Sequence, residues 1–311
     1  MQAFRRHPWA RRTAVAFWRV GRLPPTVRGL MWSAASGALF VVLNAFMRQL
    51  SLELSPSQTQ FLRYAMGLLV LIPLMMRAGL ASWRPVSLRG QFIRGGVHSL
   101  GLYVWFLAVP HITLADTTAI GFTTPIFIML GAALFLSEPM RASRWIAVGL
   151  GLTGVLIVVG PRLTGQGGGY LLIMLCSAPI YAVSFLLTKV LTRQERPTVI
   201  VLWQSITVSV LSLPLALVGW QWPSLLQWGL FLVCGILGTA GHYCLTRSYA
   251  VADISATQSV RFLELVWAAM IGWLLFGDAL SQWTVVGGLV ICVATIWIAR
   301  HEARMPHPRP S

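Results

Sequence analysis

The chain has 311 residues, of which 56% are hydrophobic and only 10% charged, whereas a soluble globular domain carries about 25% charged residues. So few charges over this length cannot cover a water-facing surface, so the composition excludes a soluble domain and points to a helical membrane protein with several spans. The formal charge of +16 is no argument for nucleic acid, because the basic residues sit in tails and short loops between apolar runs, where topology accounts for them.

Residues 1–29 hold seven arginines interleaved with Phe4, Trp9, Phe17 and Trp18. Arg19 and Arg22 interrupt any apolar stretch that a cleaved signal would need, so the segment reads as a basic cytoplasmic tail, either lying against anionic lipid or disordered. About 20 apolar residues span a bilayer. By that rule the spans run 30–47, 56–76, 91–109, 114–136 and 145–159, then 170–188, 198–218, 226–246, 254–276 and 283–299. The Gly-rich stretch 161–169 reads as a flexible linker between the two groups of five, and 300–311 as a second cytoplasmic tail. The four cysteines lie in apolar spans without CxxC spacing, so they read as small hydrophobes rather than as a disulfide or metal set.

The two groups are copies of each other. A shift of 140 carries 95–138 onto 235–278 without a gap, matching Gly101 with Gly241, Tyr103 with Tyr243, Phe122 with Phe262 and Glu138 with Asp278. Upstream, a shift of 141 pairs Arg63 with Gln204 and Pro73 with Pro214; downstream, a shift of 138 pairs Trp145 with Trp283 and Gly149 with Gly287.

Orientation follows from Lys and Arg. With the N-terminus inside, the cytoplasmic segments hold 20, with Arg77, Arg84, Arg89 and Arg94 assigned to the second of them, against Arg48 and Arg162 outside. That asymmetry places both termini in the cytoplasm. Five spans per copy is an odd number, so the second copy enters the membrane inverted, an architecture of secondary transporters with the substrate site near the midplane between the halves.

Arg261 and Glu264, three apart on one helical face, lie inside the ninth span, roughly 10–15 Å from its start at 1.5 Å per residue. Intramembrane charges are costly and mark function by default: Arg261 suits a carboxylate or phosphate, Glu264 a cation or proton; the alternative is a self-satisfied ion pair. Arg63 and its mate Gln204 suit a structural role, such as bonding a broken-helix carbonyl, with a substrate contact as the second reading. His242 and Tyr243 in the eighth span, and His98 with Tyr103 in the third, can stack a planar substrate, and the imidazoles can relay protons. Asn44, Thr124, Tyr181 and Gln258 are further polar groups in or near the core, and Pro125 and Pro179 free backbone carbonyls that can face a cavity; the alternative is ordinary hydrogen bonding between helices. Asp116, Glu138, Asp253 and Asp278 fall at span ends and read as caps. The GxGxxG match at Gly149, Gly151 and Gly154 lies inside the fifth span, so it reads as close helix packing rather than a dinucleotide fold, which needs a preceding strand.

The stretch FLAVPHITLADTTAIGFTTPIFIMLGAALFLSE (106–138), the Leu62-Arg63-Tyr64 run, the segment GLGLTGVLIVVG (149–160) and the degenerate second copy at 245–278 together resemble the EamA family of the drug/metabolite transporter superfamily. The resemblance covers roughly 30–298. It implies a secondary carrier whose cavity is lined mainly by spans 1, 3, 4, 6, 8 and 9, and members of the family carry amino acids, vitamins, nucleotide-like cofactors, metallophores and cationic drugs. The proline of the family's fourth-span motif is Pro125; its second-copy counterpart is Leu265, so the ninth span is expected to be less kinked.

The expectation is an all-α membrane protein of ten transmembrane helices in two inverted repeats, 30–160 and 170–299, a non-enzymatic, multi-pass inner-membrane carrier. It should move a small polar or amphipathic metabolite by alternating access, without cofactor, metal or nucleic acid and with lipid as its surroundings; a homodimer is compatible with the sequence. A multidrug or organic-cation exporter is the nearest alternative. A non-transporting subunit and an intramembrane enzyme stand further off, since no HExxH, GxSxG or aspartate pair is present.

Overall fold

The computed structural model describes residues 23–51, 53–108, 111–112, 114–163, 168–276 and 281–304. Residues 1–22 of the basic tail, linker residues 164–167 and Asp278 lie outside this set, as do the side chains of Arg48, Asp116 and Arg162. The described residues are helical and contain no strand: α1 Pro25–Leu50, α2 Pro56–Ala78, α3 Leu88–Ala108, α4 Leu114–Gly121, α5 Thr124–Leu136, α6 Ala142–Val159, α7 Gly169–Leu191, α8 Pro197–Ala216, α9 Leu225–Val251, α10 Ile254–Thr257, α11 Leu263–Phe276 and α12 Gln282–Arg304.

Local chemistry sets the helix ends. Pro25, Pro56 and Pro197 open α1, α2 and α8, where the missing N–H costs nothing. Ser55 caps α2, and Ser224 with Gln227 forms a capping box on α9. Gly79, at φ 79°, closes α2, a conformation that a side chain disfavours.

Among the described residues, eight helices are long and apolar enough to cross a membrane, the pair α4–α5 counting as one. Two expected spans fall outside that criterion. Helix α3 has the length, 21 residues, but carries Arg89, Gln91, Arg94 and His98. The ninth span is broken: a 3-10 turn, Gln258–Phe262, separates α10 from α11. This corrects the expectation of a straighter second copy. Both copies break in the same region, at residues 122–123 in the first and over Gln258–Phe262 in the second, although only the first has a proline just beyond the break. In the second copy, Gln258 Nε2 donates to the Ile254 carbonyl at 2.7 Å and Thr257 Oγ1 to the same carbonyl at 2.7 Å, so side chains satisfy an acceptor that a straight helix would use. The mates Phe122 and Phe262 stack at 5.5 Å.

Each copy packs mainly against the other. Helix α1 lies on α9 and α11, and its counterpart α7 lies on α3 and α5; α2 contacts α8 and α9, and α8 contacts α2 and α3; α6 pairs with α12. Glycines permit the closest crossings. A Cβ on Gly154 would sit 2.8 Å from the Gly287 carbonyl, and one on Gly287 2.5 Å from the Gly154 carbonyl, so the GxGxxG run is a helix-packing surface.

One end of the bundle is tied by charges. Glu138, after α5, accepts from the Ile254 and Ser255 amides at 2.9 and 3.0 Å and from Ser255 Oγ at 2.6 Å, capping α10. Arg144 bonds Glu302 at 2.9 Å, Asp253 at 3.0 Å and Ser255 Oγ at 2.7 Å, and Lys189 Nζ donates to the Tyr249 and Ala252 carbonyls. Ser248 bonds the Gly29 carbonyl at 2.7 Å. The start of α1 and the end of α12 therefore share this end with the loops after α5, α7 and α9.

Candidate functional site

Five helices drive polar side chains into the bundle where the copies meet. On α3, Gln91, Arg94 and His98 recur at i, i+3 and i+7, one helical face, and all three are buried. On α7, Tyr181, Ser184 and Thr188 repeat that spacing. Arg63 and Tyr64 come from α2, Gln204 from α8 and His242 from α9.

These residues form one connected network. The Tyr64 hydroxyl lies 3.0 Å from His98 Nε2 and 3.3 Å from His242 Nε2. Arg63 Nη2 and Gln204 Nε2 both lie 3.4 Å from His242 Nε2. Since guanidinium and amide nitrogens only donate, that imidazole nitrogen is placed to accept, and the Tyr64 hydroxyl, both donor and acceptor, can give its proton to His242 while accepting one from His98. Ser184 Oγ lies 3.2 Å from His98 Nδ1. Arg94 extends the network, Nε donating to Thr188 Oγ1 at 2.8 Å and Nη2 to Gln204 Oε1 at 2.7 Å. A gap between Arg63, Tyr64, Ser205, Thr239 and His242 has room for about one water molecule.

Rings line the network. Tyr181 meets His98 edge-on at 5.6 Å, Phe40 meets His242 at 4.9 Å, and Tyr181 stacks on Phe185 at 6.4 Å. Phe185 leads to the charged pair of the ninth span: the Arg261 guanidinium lies 5.1 Å over its ring, and Arg261 Nε is 3.5 Å from Glu264 Oε1. Gly37 of α1 makes room for that carboxylate, since a Cβ there would stand 2.9 Å from Glu264 Cγ.

Of the residues singled out from sequence, His98, His242, Tyr181, Arg63 and Gln204 meet directly, and Arg261 and Glu264 lie one ring away. The bond Arg63 makes is to an imidazole rather than a helix carbonyl. Tyr243 faces Trp32 edge-on at 6.2 Å. Tyr103 is exposed beside Ser57, Gln60 and Phe106, and Asn44 is exposed on α1. Thr124 and Pro125 are buried at the start of α5, Gln258 bonds the Ile254 carbonyl four residues back, and Pro179 lies inside α7. Two members of the network were not singled out. Tyr64 directly follows Arg63. Arg94, counted from sequence among the loop cations, is 2% exposed within α3; its i+3 and i+7 alignment with Gln91 and His98 was the available signal.

A helical membrane bundle of two interleaved copies around a buried polar layer is the build of a secondary carrier. The EamA-like transporter family model matches twice, at residues 27–160 and 168–300, and the chain belongs to that family. It is 34% identical to the riboflavin transporter of Rhizobium johnstonii over 89% of this chain and 93% of that protein. It is 30% identical to the pseudopaline exporter of Pseudomonas aeruginosa, over 88% and 96%, and 23% identical to the S-adenosylmethionine uptake transporter of Rickettsia prowazekii, over 89% and 94%. A protein of known crystal structure superposes with a TM-score of 0.76 at 18% identity, covering 91% of this chain and 99% of that one, which shows a shared fold. The chain is a multi-pass transporter of a small metabolite, and not an enzyme.

Proposed function

We propose that the chain is an inner-membrane carrier with ten spans, two inverted units over 30–160 and 170–299 and both termini cytoplasmic, that moves a ring-bearing polar metabolite by alternating access. The observation that carries this reading is the Tyr64–His98–His242–Gln204 network, built from both copies and walled by Phe40, Tyr181 and Phe185. A site contributed by both halves changes its exposure when the halves rock, which alternating access requires. In this reading His98 and His242 hold substrate or pass the coupling proton, Tyr181 stacks on the substrate, and Arg261 with Glu264 closes the layer on one side. The names of the relatives support a vitamin or nucleoside-like cargo, since flavins and adenosyl compounds present flat rings to such walls.

The test is uptake of labelled riboflavin and S-adenosylmethionine into proteoliposomes holding the full chain, repeated with Tyr64→Phe, His242→Ala and Glu264→Gln. Saturable uptake of either compound, lost in these variants while folded protein remains in the vesicles, supports the reading. Wild-type rates in all three variants would remove the network from the transport path.

A further inference from the structure

Among the described residues, three arginines are paired with carboxylates: Arg144 with Glu302 and Asp253, Arg141 with Glu302, and Arg261 with Glu264. Arg63 and Arg94, in the polar layer, are held differently. Among the described residues neither is in an ion pair; Arg63 meets an imidazole, Arg94 a hydroxyl and an amide oxygen. Arg94 is buried, yet its Nη1 has no hydrogen-bond partner among the described residues. The sequence closes the other route to compensation. Of the eight acidic side chains, only Glu264 stands within a span; Glu53, Asp116, Glu138, Glu195, Asp253, Asp278 and Glu302 all fall at span ends or in loops. The polar layer thus holds three arginines against one carboxylate, which Arg261 already engages.

A buried charge persists where it is paired or where a ligand pairs it. The guanidiniums of Arg63 and Arg94 reach the same amide of Gln204 through His242 and directly, and five N–H donors in a fixed fork suit the oxygens of a carboxylate or phosphate. We propose that Arg63 and Arg94 form an anion subsite in the carrier's central layer, and that the transported metabolite bears a carboxylate or phosphate beside its ring. Because Arg94 holds Gln204, and Gln204 faces His242, anion binding by Arg94 frees Gln204 and couples the charge of the cargo to the histidine network. The inference rests on the carrier reading above and adds the charge class of the cargo to it.

The experiment uses matched ligands on the full chain in nanodiscs: riboflavin against its 5′-phosphate, and S-adenosylmethionine against its decarboxylated amine. Binding is read by thermal shift and by competition. The wild type is expected to bind the phosphate- or carboxylate-bearing member of at least one pair tenfold or more tighter than the member lacking that group. Arg63→Gln and Arg94→Gln should bring the ratio of the two affinities close to one, whatever the affinity for the member lacking the anion, and monodisperse elution from the nanodisc preparation with an unchanged helical circular-dichroism signal shows that they are folded; Arg94→Lys should retain part of the preference. Equal or tighter binding of the partner lacking the anion, or a preference that survives in both arginine variants, overturns the subsite while leaving the carrier reading in place. Failure of the wild type to bind any member of either pair counts against the carrier reading for ring-bearing cargo, and takes this inference with it.

Discussion

Arg63 and Gln204 occupy matching positions in the two copies and reach the same atom, His242 Nε2, each from 3.4 Å. The backbone is therefore repeated but the site is not. At the repeat shift of 140, His98 is matched by Gly238, His242 by Leu102 and Arg94 by Cys234. The two copies thus place different side chains at matching positions of the shared layer.

Gly238 illustrates this. A Cβ there would lie 3.2 Å from Arg63 Nε, tight enough to push the guanidinium away but against a flexible side chain. Gly238→Ala should therefore cost about 1 kcal/mol or less of stability while transport falls severalfold. Thermal unfolding and proteoliposome uptake on one preparation separate the two effects; unchanged uptake would show that the position of Arg63 does not matter.

The charged cluster at the end of the bundle predicts unequal costs. Arg144 and Glu302 are 3% and 1% exposed, so Arg144→Ala or Glu302→Ala strands a buried charge and should cost about 3–5 kcal/mol. Asp253, 42% exposed, should cost about 1 kcal/mol or less as Asp253→Asn. The double variant Arg144→Met/Glu302→Leu should recover most of the loss, because burying two apolar chains avoids the desolvation of both ions. Denaturant unfolding in detergent orders the four variants.

Two adjacent glycines should respond with opposite sign. On Gly95 an added Cβ would run into Thr207 of α8, whereas Gly96 faces nothing within 4 Å. Gly95→Ala is expected to destabilise by about 1–3 kcal/mol and Gly96→Ala to stabilise by about 0.5–1 kcal/mol through helix propensity. Adding Thr207→Ala should reverse part of the first effect and none of the second, as read by melting temperature.

The proposed orientation is checked by cysteine labelling on a cysteine-free background. Arg84→Cys, in the exposed loop before α3, should react with an impermeant maleimide only from the cytoplasmic side. Trp222→Cys, at a position 82% exposed between α8 and α9, should react only from outside. The reverse pattern would invert the topology.

Much of the architecture was legible in one sequence because it is written locally. Apolar run lengths placed the helices, and the 140-residue shift revealed the duplication. The charged span ends already marked Glu138 as a cap, and the small residues at 149–154 read as a packing surface. His98 and His242 were visible as polar residues inside apolar helices. What remained hidden depended on contacts between segments far apart in the chain. Arg94 counted as a loop cation until α3, α7 and α8 closed around it; Tyr64 gained its role only where α3 and α9 set two imidazoles against one hydroxyl. The break at Gln258–Phe262 needed no proline, only side chains able to take over a backbone acceptor. Sequence fixes which residues a helix can bury, because burial follows hydrophobic length and period. Which buried polar groups meet is decided by helix crossings set by glycines such as Gly154 and Gly287, and those crossings exist only once both copies are packed together.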